Sequence, residues 1–233
     1  MSKKYAIILA GGTGTRMGTD IPKQFLHINN KPVIVYTIEA FQNHPVIDGI
    51  IIVIHADYKD QVERLKIEYE LSKIIRIIPG GETRQGSSYN AVNGYNFMDD
   101  DILLFHDAVR PFVTGDIIDE CVKETLKYGA AGVCVKTTDT IVQSSTENFI
   151  ESMPDRDSLR NEQTPQCFKY KIIREAHEKA REDNYINATD DVRLLLNIGR
   201  RVKIVEGSYE NIKITTAGDL ALAEAIVCKR KEV

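Results

Sequence analysis

Tyr5-Ala6-Ile7-Ile8-Leu9-Ala10-Gly11-Gly12-Thr13-Gly14-Thr15-Arg16-Met17-Gly18 is the stretch that decides how the rest of the chain is read. Tyr5 to Leu9 form an apolar run, the pattern of a strand covered on both faces. The glycines therefore fall at a strand's carboxyl end. In an open parallel sheet that edge receives ligands, and residues without a Cβ let backbone N–H groups approach a phosphate. Two familiar glycine motifs are absent: no Gly-Lys-Ser/Thr triplet closes the loop, and Gly12, Gly14 and Gly18 carry one residue too many for the dinucleotide spacing. Cations are present instead, with Arg16 following the glycines and Lys23 behind Pro22. Glycines and two cations suit a triphosphate; the competing reading is a glycine-rich turn with ordinary surface cations.

Outward from this loop, Ile34, Ile38 and Phe41 stand at helical spacing, with Pro32 suited to a first turn. Gly49-Ile50-Ile51-Ile52-Val53-Ile54 is a second all-apolar strand, and strand–helix–strand implies a parallel pair. The alternation continues with a helix near 57–72, a strand at 75–78, a helix near 84–98, a strand at 101–105, a helix near 115–128 and a strand at 131–135. It predicts an α/β fold with a doubly wound, mostly parallel sheet. The rhythm breaks between about 137 and 163, where Thr140-Ile141-Val142-Gln143 and Asn148-Phe149-Ile150-Glu151 flank a polar turn. These runs predict a protruding β-hairpin arm whose apolar residues need a partner, for which a second subunit is one source and the chain's own body another. Helices near 171–183 and 190–197, a strand at 202–205 and a helix at about 217–227 complete the chain.

A chain of 233 residues with no long linker fits one large domain. The net charge of −4, with both signs mixed along the sequence, is not the footprint of a nucleic-acid partner. Apolar runs fall far short of membrane-spanning length and the first residues lead straight into a strand, so a soluble, cytoplasmic protein is expected. Cys121, Cys134, Cys167 and Cys228 show no metal-ligand or redox spacing and are expected to be reduced.

Several strands run out into functional chemistry. Pro79-Gly80-Gly81-Glu82-Thr83-Arg84-Gln85-Gly86-Ser87-Ser88 offers small residues and hydrogen-bonding groups for a base edge, or a helix start capped by Thr83 or Ser87. His106-Asp107-Ala108-Val109-Arg110-Pro111 places an Asp where Mg²⁺ beside a phosphate would need a carboxylate, with Arg110 able to grip a phosphate or to pair with Asp107. His106, isolated among apolar residues, reads as a packing residue. Arg156, Thr164 and Lys213 suit a second anion, and Asp190 or Asp191 suits a helix cap.

In order along the chain, Leu-Ala-Gly-Gly-x-Gly-x-Arg-Met-Gly, Pro22-Lys23-Gln24, His106-Asp107-Ala108-x-Arg110-Pro111, Asp139-Thr140-Ile141, Gln163-Thr164-Pro165-Gln166, Thr189-Asp190 and Asn211-Ile212-Lys213 resemble the sugar-alcohol-phosphate cytidylyltransferases. The resemblance covers essentially the whole chain. It implies a Rossmann-like nucleotidyltransferase fold, a homodimer formed through the β-arm, and Mg²⁺-dependent transfer of CMP from CTP to a sugar-alcohol phosphate. Residue by residue, Arg16, Lys23 and Lys213 match the catalytic cations. Ala10, Gly11, Gly12, Gly14, Gly81, Glu82, Arg84 and Ser87 match the CTP-binding segments, with Glu82 standing where the family often has Asp. Asp107, Arg110, Thr140, Arg156, Thr164 and Thr189 match positions around the second substrate, and Asp107 is also the candidate metal ligand. Val142 after Thr140-Ile141, with Pro154-Asp155-Arg156, leans toward the ribitol-phosphate branch. Thr189-Asp190-Asp191-Val192, Gly207-Ser208-Tyr209-Glu210-Asn211-Ile212-Lys213 and the absence of Gly before Gln163 lean toward the methylerythritol-phosphate branch, which serves isoprenoid precursor synthesis. The second branch is favoured. A non-catalytic nucleotide sensor on the same scaffold is the reading from another class.

Overall fold

The structure, a computed structural model, describes residues 2–12 and 21–231. In chain order it contains β1 (Lys4–Leu9), β2 (His27–Ile28), β3 (Lys31–Pro32), α1 (Val33–Gln42), β4 (Gly49–Ile54), α2 (Lys59–Glu68), β5 (Ile74–Pro79), α3 (Arg84–Asn93), β6 (Ile102–Asp107), α4 (Gly115–Tyr128) and β7 (Ala130–Lys136). Then come β8 (Gln143–Ser144), β9 (Ile150–Ser152), β10 (Arg160–Lys169), α5 (Tyr170–Glu182), α6 (Asp191–Asn197), β11 (Lys203–Glu206) and α7 (Ala217–Lys231). Seven strands form one sheet in the order β11-β7-β10-β6-β1-β4-β5. All its neighbouring pairs are parallel except those that β10 makes with β6 and β7. The expected doubly wound, mostly parallel sheet is what the chain forms.

The apolar run of β1 is explained by its place in the middle of this sheet. Ala6 and Ile8 face a core built with α1, α2 and α4, whereas Tyr5, Ile7 and Leu9 face a second core with α3, α5 and α6. Both faces of β1 and β4 are covered, and each fully buried Ile contributes about 1.5–3 kcal/mol of transfer free energy. A third, smaller cluster seats α7 against β2, Val109, Phe112 and Ile214.

The strand β10 is the element that alternation did not predict. Arg-Asn-Glu-Gln-Thr-Pro-Gln-Cys-Phe-Lys is polar for most of its length and contains a proline, which argues against a central strand. Pro165 is accommodated where the pairing register with β7 shifts, between Glu162 and Gln166. Its buried glutamines have partners: Gln163 Nε2 donates to the Ser208 carbonyl (2.9 Å) and Gln166 Nε2 to Glu162 Oε1 (2.8 Å). This strand also shortens the irregular insertion, since residues 160–163, expected in the arm, belong to the main sheet. The expected hairpin exists with a smaller ladder, Gln143 opposite Ser152 and Ser144 opposite Ile150. Helix α2 is likewise shorter than the 57–72 expected, and α3 ends at Asn93 rather than 98.

Candidate active site

The strand order reverses at β1. The chain moves from β1 to β4 and β5 on one side, then returns to β6 on the other, so the carboxyl ends of β1 and β6 border a topological switch point. A cleft of about 400 Å³ opens there, lined by Leu9 to Gly12, Lys23 and Gln24, Gly81 to Arg84, Ser87, Asp107 to Val109, and Lys213.

One wall is held by short-range contacts. The Ala10 N–H donates to the Val53 carbonyl (2.7 Å), continuing the β1 ladder toward the glycines. Gln24, buried, donates from Nε2 to the Ala10 carbonyl (2.8 Å). That bond draws the Pro22-Lys23-Gln24 turn against the end of β1 and explains why Lys23 lines the cleft. Opposite it, Thr83 caps α3 by accepting the Gly86 N–H at Oγ1 (3.0 Å). Ser87 is the second capping possibility raised by the sequence, and its hydroxyl instead accepts the Gly81 N–H (3.0 Å). Gly81 is required for close approach: a Cβ there would stand 2.6 Å from the Gly86 carbonyl carbon. A Cβ on Gly11 would meet Ser87 Oγ at 3.2 Å, so the glycine loop and the start of α3 are in near contact.

The facing wall is a charged cluster around the buried Asp107. Asp107 Oδ2 lies 2.8 Å from Lys213 Nζ and 3.7 Å from Arg110 Nε. Burial alone would raise the Asp107 carboxyl; Lys213, then Arg84 and Arg110, overcome that and hold it down at about 2. Arg110 donates from Nη1 to the Asn211 carbonyl (2.8 Å), which ties β6 to the segment carrying Lys213. Behind the carboxylate, the Asp107 N–H donates to Thr164 Oγ1 (3.2 Å), and that hydroxyl lies 2.9 Å from His106 Nδ1. His106 Nε2 faces the Arg110 carbonyl at 2.9 Å. A carbonyl only accepts, so Nε2 carries the proton and Nδ1 accepts from Thr164. Burial pushes the imidazole down to about 4, and His106 is a neutral, hydrogen-bonded packing residue.

Of the residues the sequence put forward, Ala10, Gly11, Gly12, Lys23, Gly81, Glu82, Arg84, Ser87, Asp107 and Lys213 line one cleft. Arg110 and Thr164 stand directly behind Asp107. Gly14 and Arg16 lie outside the described residues. Thr140 and Arg156 are exposed in the insertion and are not among the described residues that line the cleft; Arg156 Nη1 donates to the Thr138 carbonyl (3.5 Å). Thr189 is also exposed and donates to Asp190 Oδ2 (3.0 Å). Asp190 is the cap of α6, accepting the Arg193 N–H (2.8 Å), whereas Asp191 turns inward. Among the described residues no three His, Cys, Asp or Glu side chains gather as a metal site. The buried roles of Gln24, Asn211 and Asp191 were missed by sequence reasoning. Their signal was positional: Gln24 adjoins Lys23, Asn211 stands two residues before Lys213, and a cap needs only one of two adjacent aspartates.

The glycines on one wall of this cleft and the Lys–Asp pair on the other belong to a chain with known relatives. Residues 5–229 match the family model of IspD, 2-C-methyl-D-erythritol 4-phosphate cytidylyltransferase. The chain belongs to this family. A cytidylyltransferase of that name from Clostridium botulinum (strain ATCC 19397) is 44% identical over 229 residues, covering 98% of this chain and 99% of the relative. One from Clostridium perfringens (strain SM101) is 44% identical over 230 residues, covering 97% and 100%. Among solved structures, 4-diphosphocytidyl-2C-methyl-D-erythritol synthase from Anaerococcus prevotii superposes with a TM-score of 0.85 at 30% identity, covering 97% of this chain and 96% of that one. The cytidylyltransferase from Francisella tularensis gives 0.82 at 33%, covering 96% and 99%. The similarity to this family thus extends over residues 5–229 in sequence and over 96–97% of the chain in fold.

Proposed function

We propose that the protein transfers the cytidylyl group of CTP to 2-C-methyl-D-erythritol 4-phosphate and releases pyrophosphate, a step of isoprenoid precursor synthesis. A phosphate oxygen of the acceptor bonds to the α-phosphorus of CTP as the bond to the β-phosphate oxygen breaks. No covalent enzyme intermediate is needed, so the work is positioning and stabilisation of charge on the reacting phosphates. The observation that carries the reading is the single cleft in which Gly11, Gly12 and Lys23 face Asp107 and Lys213. Gly11, Gly81 and Ser87 shape a close-fitting seat for the nucleoside, with Ala10, Gly12, Gly14, Glu82 and Arg84 as further nucleotide contacts. Lys23, Arg16 and Lys213 are the catalytic cations in this reading. Asp107, Arg110 and Thr164 organise the acceptor side.

Mg²⁺ would add positive charge to the triphosphate, and Asp107, already paired with Lys213, is the residue that would hold it. Thr140, Arg156 and Thr189 belong to the acceptor site only if chain from outside this subunit completes it. The β-arm supports such an arrangement: Phe149 is 69% exposed and Ile150 62%, and Ile141, Val142 and Met153 lie open beside them. We therefore read the 233 residues as one nucleotidyltransferase domain that pairs through its arm in a homodimer, in the cytoplasm, where four free cysteines remain reduced. No described helix is long and apolar enough to cross a membrane.

The test is pyrophosphate release with each nucleotide and each acceptor. CTP with methylerythritol phosphate is expected to turn over far faster than ATP or GTP, and faster than CTP with ribitol 5-phosphate. A purine nucleotide working as well as CTP, or preference for ribitol phosphate, contradicts the assignment, and CTP binding without turnover marks a sensor.

A further inference from the structure

Behind the glycine-lined wall lies a second buried charge cluster that the proposed reaction does not use directly. Asp191, the first residue of α6, has a side chain only 1% exposed. Its two carboxylate oxygens serve different partners. Oδ1 accepts the Ser88 hydroxyl at 2.5 Å and lies 3.2 Å from His177 Nε2, while Oδ2 receives Arg84 Nη1 at 2.8 Å. The backbone adds a further anchor, the Asp191 N–H donating to Gln166 Oε1 (3.0 Å). Burial would raise this carboxyl, but the Arg84 guanidinium, then His177 and Ser88, hold it well below the usual carboxylate range. A carboxylate fixed at Oδ1 by groups from α3 and α5 has no freedom to turn, so Oδ2 dictates where the guanidinium lies. Arg84 in turn lines the cleft, and one of its five donors is spent on Asp191 while the remaining edge of the fork stays available.

We infer that Asp191 is a positioning residue for the nucleotide: locked by Ser88 and His177, it holds the Arg84 guanidinium at the angle from which it meets CTP. The inference rests on the proposed function. Arginine on a flexible stem carries a large rotamer entropy, and a pre-set guanidinium loses less of it when the nucleotide arrives.

Equilibrium binding of CTP to the full chain, measured by titration calorimetry without acceptor, tests this. Asp191→Asn keeps the shape and removes the charge, and should weaken CTP about tenfold; Arg84→Ala should weaken it at least as much, and the double variant no further than Arg84→Ala alone. His177→Gln leaves the carboxylate charged but loosens Oδ1, and should weaken CTP about twofold, again only while Arg84 is present. Asp101→Asn supplies the control for a purely structural loss: that buried carboxylate accepts the Lys3 and Met98 N–H groups, and its removal should lower the melting temperature without moving CTP affinity. The inference is overturned alone if wild type binds CTP and Asp191→Asn binds it equally well. It is also overturned if the losses multiply in the double variant, or if Asp101→Asn lowers affinity as much for the same loss of stability. Wild-type protein that binds no CTP overturns the functional reading and this inference together.

Discussion

The glycine-lined wall of the cleft and the β-arm are made from the same chain by opposite means. The wall is assembled from the ends of neighbouring strands: Ala10 carries on the β1 ladder, Gln24 is pinned to Ala10, and Gly81 fits against α3 with no room for a Cβ. The arm, by contrast, is a ladder between a two-residue and a three-residue strand with large apolar side chains in water. A hairpin of that size is marginal by itself. The described part of the wall is held by contacts within one subunit, whereas the arm leaves its large apolar side chains exposed.

The largest expected effect lies on the side of the wall. Charge gathers on the non-bridging oxygens as the acceptor phosphate meets the α-phosphorus, and a fixed ammonium gains interaction energy as it does so. Lys23→Ala should lower kcat by about 10²-fold or more, roughly 3 kcal/mol, and change CTP affinity less. Arg16→Ala should show a similar loss of kcat and a larger loss of CTP affinity, since a guanidinium holds two phosphate oxygens at once. An unchanged kcat with only a raised KM for CTP would make Lys23 a ground-state binder.

Next in size is the pH dependence of the buried wall. His106 titrates near 4 in the folded protein against about 6.5 when unfolded, so the unfolded chain binds the extra proton between those values. Stability is therefore full above pH 6.5 and falls as the pH drops toward 4, by up to about 3 kcal/mol. Urea denaturation across this range should show that loss, and His106→Gln should flatten it; an unchanged slope in the variant would remove His106 as its source.

Smaller effects separate the two regions further. Phe149→Ser with Ile150→Ser should shift sedimentation of micromolar protein from dimer to monomer while the melting temperature of the main body stays within a few degrees. A fully active monomer of wild type would break the comparison itself. Thr83→Ala removes the cap of α3 and should cost about 1 kcal/mol of stability, with a modest rise in KM for CTP because Gly81 and Ser87 share that turn.

How much of this was legible in sequence follows the same division. The β1 loop, the parallel strands and most of the cleft could be read because apolar runs and glycines carry a local physical meaning. The strand β10 could not, since its buried Gln163, Thr164 and Gln166 are made tolerable by partners as distant as Ser208 and His106, which no local pattern reports. Asp191 was hidden for the same reason: beside Asp190 it looked like a cap, and only packing against Ser88, His177 and Arg84 reveals a fixed carboxylate. For Thr140 and Arg156 the sequence suggested a place in the site that one subunit alone does not give them.

Mixed dimers test this account most directly. An Arg156→Ala variant keeps its own cleft and loses the arm's cation, whereas a Lys23→Ala variant loses its cleft and keeps a sound arm. If each arm serves the partner's cleft, unfolding the two inactive variants together and refolding them should restore about a quarter of the wild-type sites, one in each heterodimer. If mixing restores no pyrophosphate release although heterodimers form, the arm does not complete the neighbouring site and the contrast between the two regions is wrong.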